Sequence, residues 1–181
     1  MKGSNYRFPG KQAYTRHKYI HGSPAKKISR FTMGETGRSY PFKVSLISEN
    51  YIQVRHNALE STRVAANKVL SDKLGDAGYL LRLCVYPHNI LRENRMIATA
   101  GADRLQHGMT NSFGKPSSRA AKVKRNQAVI TIQVDDANLE LAKNALRAGA
   151  AKFPSTCRIM VETESKSELS TDEKASSPTI S

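Results

Sequence analysis

Five histidines, two cysteines and one glycine-rich segment are the residues of this sequence whose types could support chemistry. His17 and His21 stand four apart, a spacing that on a helix would offer two metal ligands from one face. Gly22 and Pro24 disfavour a helix there. No acid lies among the histidines to complete a ligand set or orient a general base, and His56, His88 and His107 are scattered, so no metal is expected. The stretch GMTNSFGKP approaches the phosphate-binding pattern G-x-x-x-x-G-K-[ST]. Five residues rather than four separate Gly108 from Gly114, however, and Pro116 stands where a hydroxyl must reach magnesium. No nucleotide or other cofactor is expected. Cys84 and Cys157 sit alone in apolar, strand-like runs without C-x-x-C spacing, which predicts two buried free thiols in a reducing compartment. Glu93 and Asp103 are the only acids between residues 77 and 134, each among arginines. They read as structural partners, so the chain is not expected to be an enzyme.

What remains is charge. Lys and Arg number 29 against 15 Asp and Glu, a formal +14 on 181 residues, with an isoelectric point near 10.0. Such an excess points to a nucleic-acid partner. It is also uneven: the first 34 residues hold eight cations (Lys2, Arg7, Lys11, Arg16, Lys18, Lys26, Lys27 and Arg30) and no acid, whereas from Glu162 onward five acids face two lysines. A membrane surface would attract the same charge, but no segment pairs a basic face with an aromatic or leucine-rich one. Nor does any apolar run approach the ~20 residues that a bilayer requires, and no apolar signal segment opens the chain, so no membrane partner and a cytoplasmic location are expected. A second basic cluster comprises Arg92, Arg95, Arg104, Lys115, Arg119, Lys122, Lys124 and Arg125. Most of it falls in the stretch 99–125, TAGADRLQHGMTNSFGKPSSRAAKVKR, which has neither helical nor strand periodicity until its last positions. A run of this kind is expected to be a functional loop ordered by its partner. Its glycines let the main chain approach phosphates, and its cations replace released counterions. Tyr6, Phe8, Tyr14 and Tyr19, interleaved with the N-terminal cations, suit either stacking on bases or pinning the arm to the domain.

The elements that must position these residues are periodic. FKVSLIS (42–48) alternates as a half-buried strand. Asn57 with Glu60 suggests a capping box opening a helix whose apolar positions are Ala58, Leu59, Thr62, Ala65, Ala66, Val69, Leu70 and Leu74, ended by Gly75. Arg55, Arg63 and Asn67 fall toward its other side. YLLRLCVYP (79–87) is a strand stopped by Pro87, and AVITIQV (128–134) is another. Asp135 or Asp136 caps a second helix carrying Leu141, Ala142, Ala145, Leu146 and Phe153, closed by Pro154 before the final strand CRIMVET (157–163). The order β-α-β, loop, β-α-β predicts one α+β domain, a sandwich of a mixed sheet and two helices over 35–162. A basic arm (1–34) precedes it, and a disordered acidic tail (163–181) follows.

The segments YTRHKYIHGSP, IQVRHNALESTRVAANKVL, VYPHNILREN, AGADRLQHGM and FGKP, in this order, resemble the large-subunit ribosomal protein family called L-sixteen in bacteria and L-ten-e in archaea and eukaryotes. The resemblance spans roughly residues 4 to 162, and AGADR and GKP are similar to the archaeal and eukaryotic branch. It implies an α/β hammerhead-type fold bound to large-subunit ribosomal RNA among neighbouring ribosomal proteins. It further implies a place beside the cleft that receives the aminoacyl end of transfer RNA, with the central loop directed to the peptidyl transferase centre. On that basis the loop runs from Ala102 to Ser118 and includes Asp103, Gly108, Met109 and Gly114, with Arg104, Gln106, His107 and Lys115 as nucleotide contacts. The arm would lie along ribosomal RNA with Arg55, Arg63, Arg92, Arg95, Arg119, Lys122, Lys124 and Arg125. Thr110–Asn111 and Ser117–Ser118 depart from the family's usual residues. The competing class is a free-standing RNA-binding or chaperone protein.

Overall fold

The computed structural model describes residues 2–10, 19–94 and 114–163. In chain order these form β1 (Thr32–Gly34), β2 (Phe42–Ser48), β3 (Ile52–Arg55), α1 (His56–Leu74), β4 (Leu80–Leu83), β5 (Asn89–Glu93), β6 (Lys115–Val123), β7 (Ala128–Val134), α2 (Leu139–Ala150) and β8 (Cys157–Thr163). Five strands make one sheet in the order β1-β4-β7-β2-β8, and three make a second in the order β3-β6-β5.

The expectation of an α+β fold with two helices holds, but the sheet is not mixed. Among the described residues every strand pair is antiparallel. The reason is topological. In β2-α1-β4 the helix returns the chain parallel to its start, yet β7 lies between β2 and β4. In β7-α2-β8, β2 lies between the two strands. Each β-α-β unit is split by a strand of the other, so parallel strands never become neighbours.

Alternation decides what is buried. Val44 and Leu46 of β2, Leu81 and Leu83 of β4, and Ile130, Ile132 and Val134 of β7 join Leu59, Ala66, Leu70, Ala142, Ala145 and Leu146 of the helices in one core. The helices approach closely: a Cβ on Gly149 would lie 3.2 Å from the carbonyl oxygen of Thr62. The opposite face of the sheet carries Lys43, Ser45, Arg82, Thr131 and Gln133 and forms an open cavity of about 590 Å³.

Several local expectations are corrected. Lys115–Val123 is a nine-residue strand, so the loop expected over 99–125, or from Ala102 to Ser118, ends at Gly114 (φ 72°). Ser118 and Arg119 are ladder residues, facing Leu91 and Ile90. Neither helix has the expected cap. α1 follows Arg55 with no side-chain cap, because Glu60 is held by Arg63 and Ser29. Asn138, not Asp135 or Asp136, precedes α2, and Asp135 pairs with Arg38 at 2.7 Å. Cys84 is exposed rather than buried, since Leu83 takes the inward position beside it. Cys157 is half-buried, and burial pushes its thiol up to about 11. The arm boundary at 34 falls inside the folded unit: Ile28 is in the core and β1 pairs with β4. The acidic tail after 163 lies outside the described residues, as do His17 and Tyr14.

Gly34 ends β1 with φ 89°, and a Cβ there would overlap the carbonyl oxygen of Tyr79, which accepts the Glu35 N–H at 3.0 Å. Gly34→Ala therefore meets both a left-handed backbone and a main-chain collision. It is expected to lower unfolding free energy by about 2 kcal/mol or more, read from urea unfolding at constant m.

Candidate nucleic-acid interface

The small sheet and the arm meet at a polar junction built where β3 runs directly into α1. His56, the first helical residue, is 3% exposed. Its Nδ1 accepts the backbone N–H of Lys27 at 3.4 Å, so the proton is assigned to Nε2, 3.4 Å from Ser118 Oγ. Ser118 also accepts a hydrogen bond from Arg55 Nε at 3.2 Å. Burial first, and then the nearby cations Arg55, Lys27 and Arg119, hold the His56 pKa below its ordinary 6.5. The ring is thus a neutral connector between arm, helix and β6, with no acid to make it a base.

The arm closes over this junction. Gln53 donates its backbone N–H to the Arg7 carbonyl at 2.9 Å and its side-chain amide to the Tyr6 carbonyl at 3.0 Å. Its Oε1 accepts from Asn89 Nδ2 at 2.9 Å. The Arg55 guanidinium lies 5.8 Å from the centre of the Tyr6 ring, and Arg119 Nη2 donates to Ser23 Oγ at 3.4 Å. Tyr6 is therefore an anchor of the arm, whereas Phe8 and Tyr19 are exposed.

Arg7, Lys26, Lys27, Arg30, Lys115, Lys124 and Arg125 are exposed, and Arg55, Arg92, Arg119 and Lys122 are half-buried. Ion pairs on the large sheet and helices and beside them join Arg38 to Asp135, Lys43 to Glu162 and Lys143 to Glu140. Among the described residues, Arg7, Lys26, Lys27, Arg30, Lys124 and Arg125 enter no ion pair. These six cations lie on the arm and on the turn that follows β6.

Arg63 is a correction. Expected among the RNA contacts, it is 7% exposed and holds Glu60 with two bonds of 2.6 and 2.8 Å, while donating to Ser29 Oγ and Met33 Sδ. The strongest influence lowering the Glu60 pKa is this hydrogen bond from Arg63. The arm, folded across α1, has turned an outward-facing position into an interior one. Lys11, Arg16, Lys18, Arg95, Ala102, Asp103, Arg104, Gln106, His107, Gly108 and Met109 lie outside the described residues. No group of three or more His, Cys, Asp or Glu among the described residues is placed to hold a metal, and no described helix is long and apolar enough to cross a membrane.

The family model for ribosomal protein L16p/L10e matches residues 9–160. The chain belongs to the L16p/L10e family. It is 51% identical over 148 residues to the large ribosomal subunit protein uL16 of Hyperthermus butylicus, covering 82% of each chain. It is 46% identical over 156 residues to that of Methanococcus maripaludis strain C5, covering 86% of this chain and 90% of the relative. With the protein of that name from Thermofilum pendens it shares 46% over 160 residues, 88% and 95% of the two chains. L16p/L10e is a family of ribosomal proteins, not a known enzyme family. The L16p/L10e match runs from residue 9 into β8, so it includes Gln53, His56 and Ser118 of the polar junction, but not Tyr6 and Arg7, and it spans the central segment.

In this L16p/L10e chain the sequence reading passed over a cluster beside the arm. Phe31 and Tyr86 stack with ring centres 5.3 Å apart and planes 18° from parallel, His88 lies 4.6 Å from Tyr86, and Lys26 Nζ sits 4.9 Å from the Phe31 ring centre. The available signal was the alternation in VYPHN, where Val85, Pro87 and Asn89 are buried and Tyr86 and His88 exposed.

His56 supplies a pH dependence. Its folded pKa is depressed, so the unfolded chain binds the extra proton first as pH falls below 6.5. The stability contributed by the neutral ring is complete above that value and is lost toward the folded pKa. Measured by thermal unfolding between pH 7.5 and 5, the stability advantage of the native protein over His56→Gln should shrink as pH falls.

Proposed function

We propose that the chain is a structural constituent of the large ribosomal subunit that binds large-subunit ribosomal RNA through its arm and small sheet. The observation that carries this reading is the set of cations on that side without internal acidic partners, in a chain of a ribosomal protein family. An ion pair within the protein would have cancelled such charge. Left exposed, it is available to phosphates, whose condensed counterions are released on contact. The relatives' name, large ribosomal subunit protein uL16, supports the same assembly. Ribosomal RNA and neighbouring ribosomal proteins are then the partners, and the ribosome in the cytoplasm is the place of action.

The finer part of the proposal concerns transfer RNA. The segment between β5 and β6, with Arg104, Gln106, His107 and Lys115, extends toward the aminoacyl end of transfer RNA beside the peptidyl transferase centre. The sequence resemblance supports this, as does the fact that the described core is complete without the segment: β5 and β6 pair with each other through Asn89–Glu93 and Lys115–Ala120. A free-standing RNA chaperone is the competing class. Retention on large subunits through a high-salt wash distinguishes a constituent from a chaperone that leaves.

The logarithm of the affinity for large-subunit RNA is expected to fall linearly with the logarithm of salt concentration, with a slope near 0.9 for each phosphate contacted on duplex RNA, taking the B-DNA value as a guide. Replacing Lys26, Lys27 and Arg30 with Ala should flatten the slope by as much as ~2 to 3, in filter binding across potassium concentrations. Arg63→Ala should leave the slope unchanged while lowering stability by about 1 to 2 kcal/mol, since a half-buried carboxylate loses its charged hydrogen-bond partner.

Because β6 begins at Lys115, only the segment 102–113 can be shortened without cutting the sheet. Replacing it with a short glycine linker should preserve folding and docking on large subunits, since little apolar packing is removed and loop closure becomes no harder. Peptide-bond formation by reconstituted particles should fall, on the order of a hundredfold if the substrate end is misplaced by an ångström. Normal activity would remove the transfer-RNA role, and failure to dock would move the RNA anchor into that segment.

A further inference from the structure

The chain from Leu81 to Asn89 alternates strictly between buried and exposed positions, with Arg82, Cys84, Tyr86 and His88 outward. It is extended because it must bridge the two sheets, from β4 to β5. The inward residues fix it: Val85 is 3% exposed and Asn89 is 5% exposed. Main-chain bonds fix it too, from Leu83 N–H to the Phe31 carbonyl at 2.7 Å, from Cys84 N–H to Val129 at 2.9 Å, and from His88 N–H back to Tyr86 at 3.0 Å. Tyr86 is nevertheless 40% exposed. A large aromatic held rigidly at a surface, with Phe31 stacked on it and His88 tilted against it, has lost its freedom without gaining burial.

Its surroundings say what it fits. Lys26 Nζ lies 5.4 Å from the Tyr86 ring centre, Lys27 and Arg30 are exposed on the same short segment, and none of the three enters an ion pair among the described residues. Protein interfaces favour tyrosine but are depleted in lysine. Aromatic rings flanked by cations suit a base with its phosphates, the ring stacking on the base face and the cations meeting the backbone. A duplex offers edges and phosphates but keeps its base faces stacked. An unpaired nucleotide exposes one.

We propose that Tyr86 and His88, backed by Phe31 and flanked by Lys26, form a stacking platform for an unpaired nucleobase of the bound RNA. This rests on the RNA-binding reading above and adds the class of nucleotide and the residues that receive it. The platform lies on the link between β4 and β5, beside the arm, so the protein would grip unpaired RNA through residues other than those proposed to reach toward transfer RNA.

The test uses the full chain and two probes: a nine-nucleotide single-stranded RNA with 4-thiouridine at its centre, and the same sequence as a duplex. Irradiation of the single-stranded complex should crosslink the thiouridine to Tyr86 or His88, a readout that requires no variant. Tyr86→Ala and His88→Ala should each weaken single-strand binding about fivefold or more, leaving the salt slope and duplex binding unchanged, while Tyr86→Phe retains the affinity. Lys26→Ala should instead lower the single-strand slope by about 0.7. Crosslinks confined to other residues, or equal losses on both probes, would overturn the platform. So would variants that bind RNA normally yet fail to enter large subunits, an outcome that marks a protein dock. Should the native chain bind neither probe, the RNA-binding reading itself fails along with the platform.

Discussion

The fold depends on the mutual interruption of its two β-α-β units. β7 cannot pair fully without β4 and β2 on its two sides, and β2 requires β7 and β8. Neither half owns a complete sheet, and α2 packs on β2 of one half and on β7 and β8 of the other. The core of Val44, Leu46, Leu81, Ile130 and Ile132 is accordingly shared, and the approach of α2 to α1 at Gly149 and Thr62 becomes a joint between halves. The chain between the halves adds Ala121 and Val123 of β6 to that core while pairing in a separate sheet, β3-β6-β5.

Electrostatics follows the same division. On the large sheet and helices some charges are held in local pairs, such as Lys43 with Glu162 and Lys143 with Glu140. The arm and small sheet carry more cations than acids, Glu93 being the one acid of β3, β5 and β6, and their junction is built of His56, Ser118, Gln53 and Asn89 joined by hydrogen bonds. Such a junction gains little from charge within the protein. It positions Arg55 and Arg119 while leaving most of the neighbouring positive charge for an external anion.

Much of the large sheet and both helices was legible in the sequence, because FKVSLIS and AVITIQV alternate and the helices repeat their apolar positions. Strand neighbours were not legible. Periodicity gives a strand's faces but not the strand beside it, so an interleaved antiparallel sheet reads like a mixed one. The small sheet was hidden for other reasons. IQVR is four residues fused to a helix, and KPSSRAAKV has proline as its second residue and lacks β-branched residues except Val123; pairing with β3 and β5, not propensity, makes it a strand. At the interface, composition exposed the charge but helical spacing misassigned Arg63, since no periodicity announces that residues 29–33 fold over that side of α1. Tyr86 lies in, and His88 just beyond, a run that reads as a strand stopping at Pro87, whereas the alternation of exposed and buried residues continues to Asn89.

The pairing of β2 with β8 joins Phe42 to Thr163 and Ser48 to Cys157. Contacts between residues more than a hundred positions apart make this a fold of high contact order, which closes slowly because long-loop entropy is spent before those contacts form. On a chain emerging from its N-terminus, β2 is among the earliest strands made, and its last partner is the latest described. Until residue 163 is synthesised, one edge of β2 stays open on a strongly basic polypeptide surrounded by nucleic acid. The interleaving that unifies the finished domain therefore also sets its period of greatest vulnerability to mispairing and premature capture.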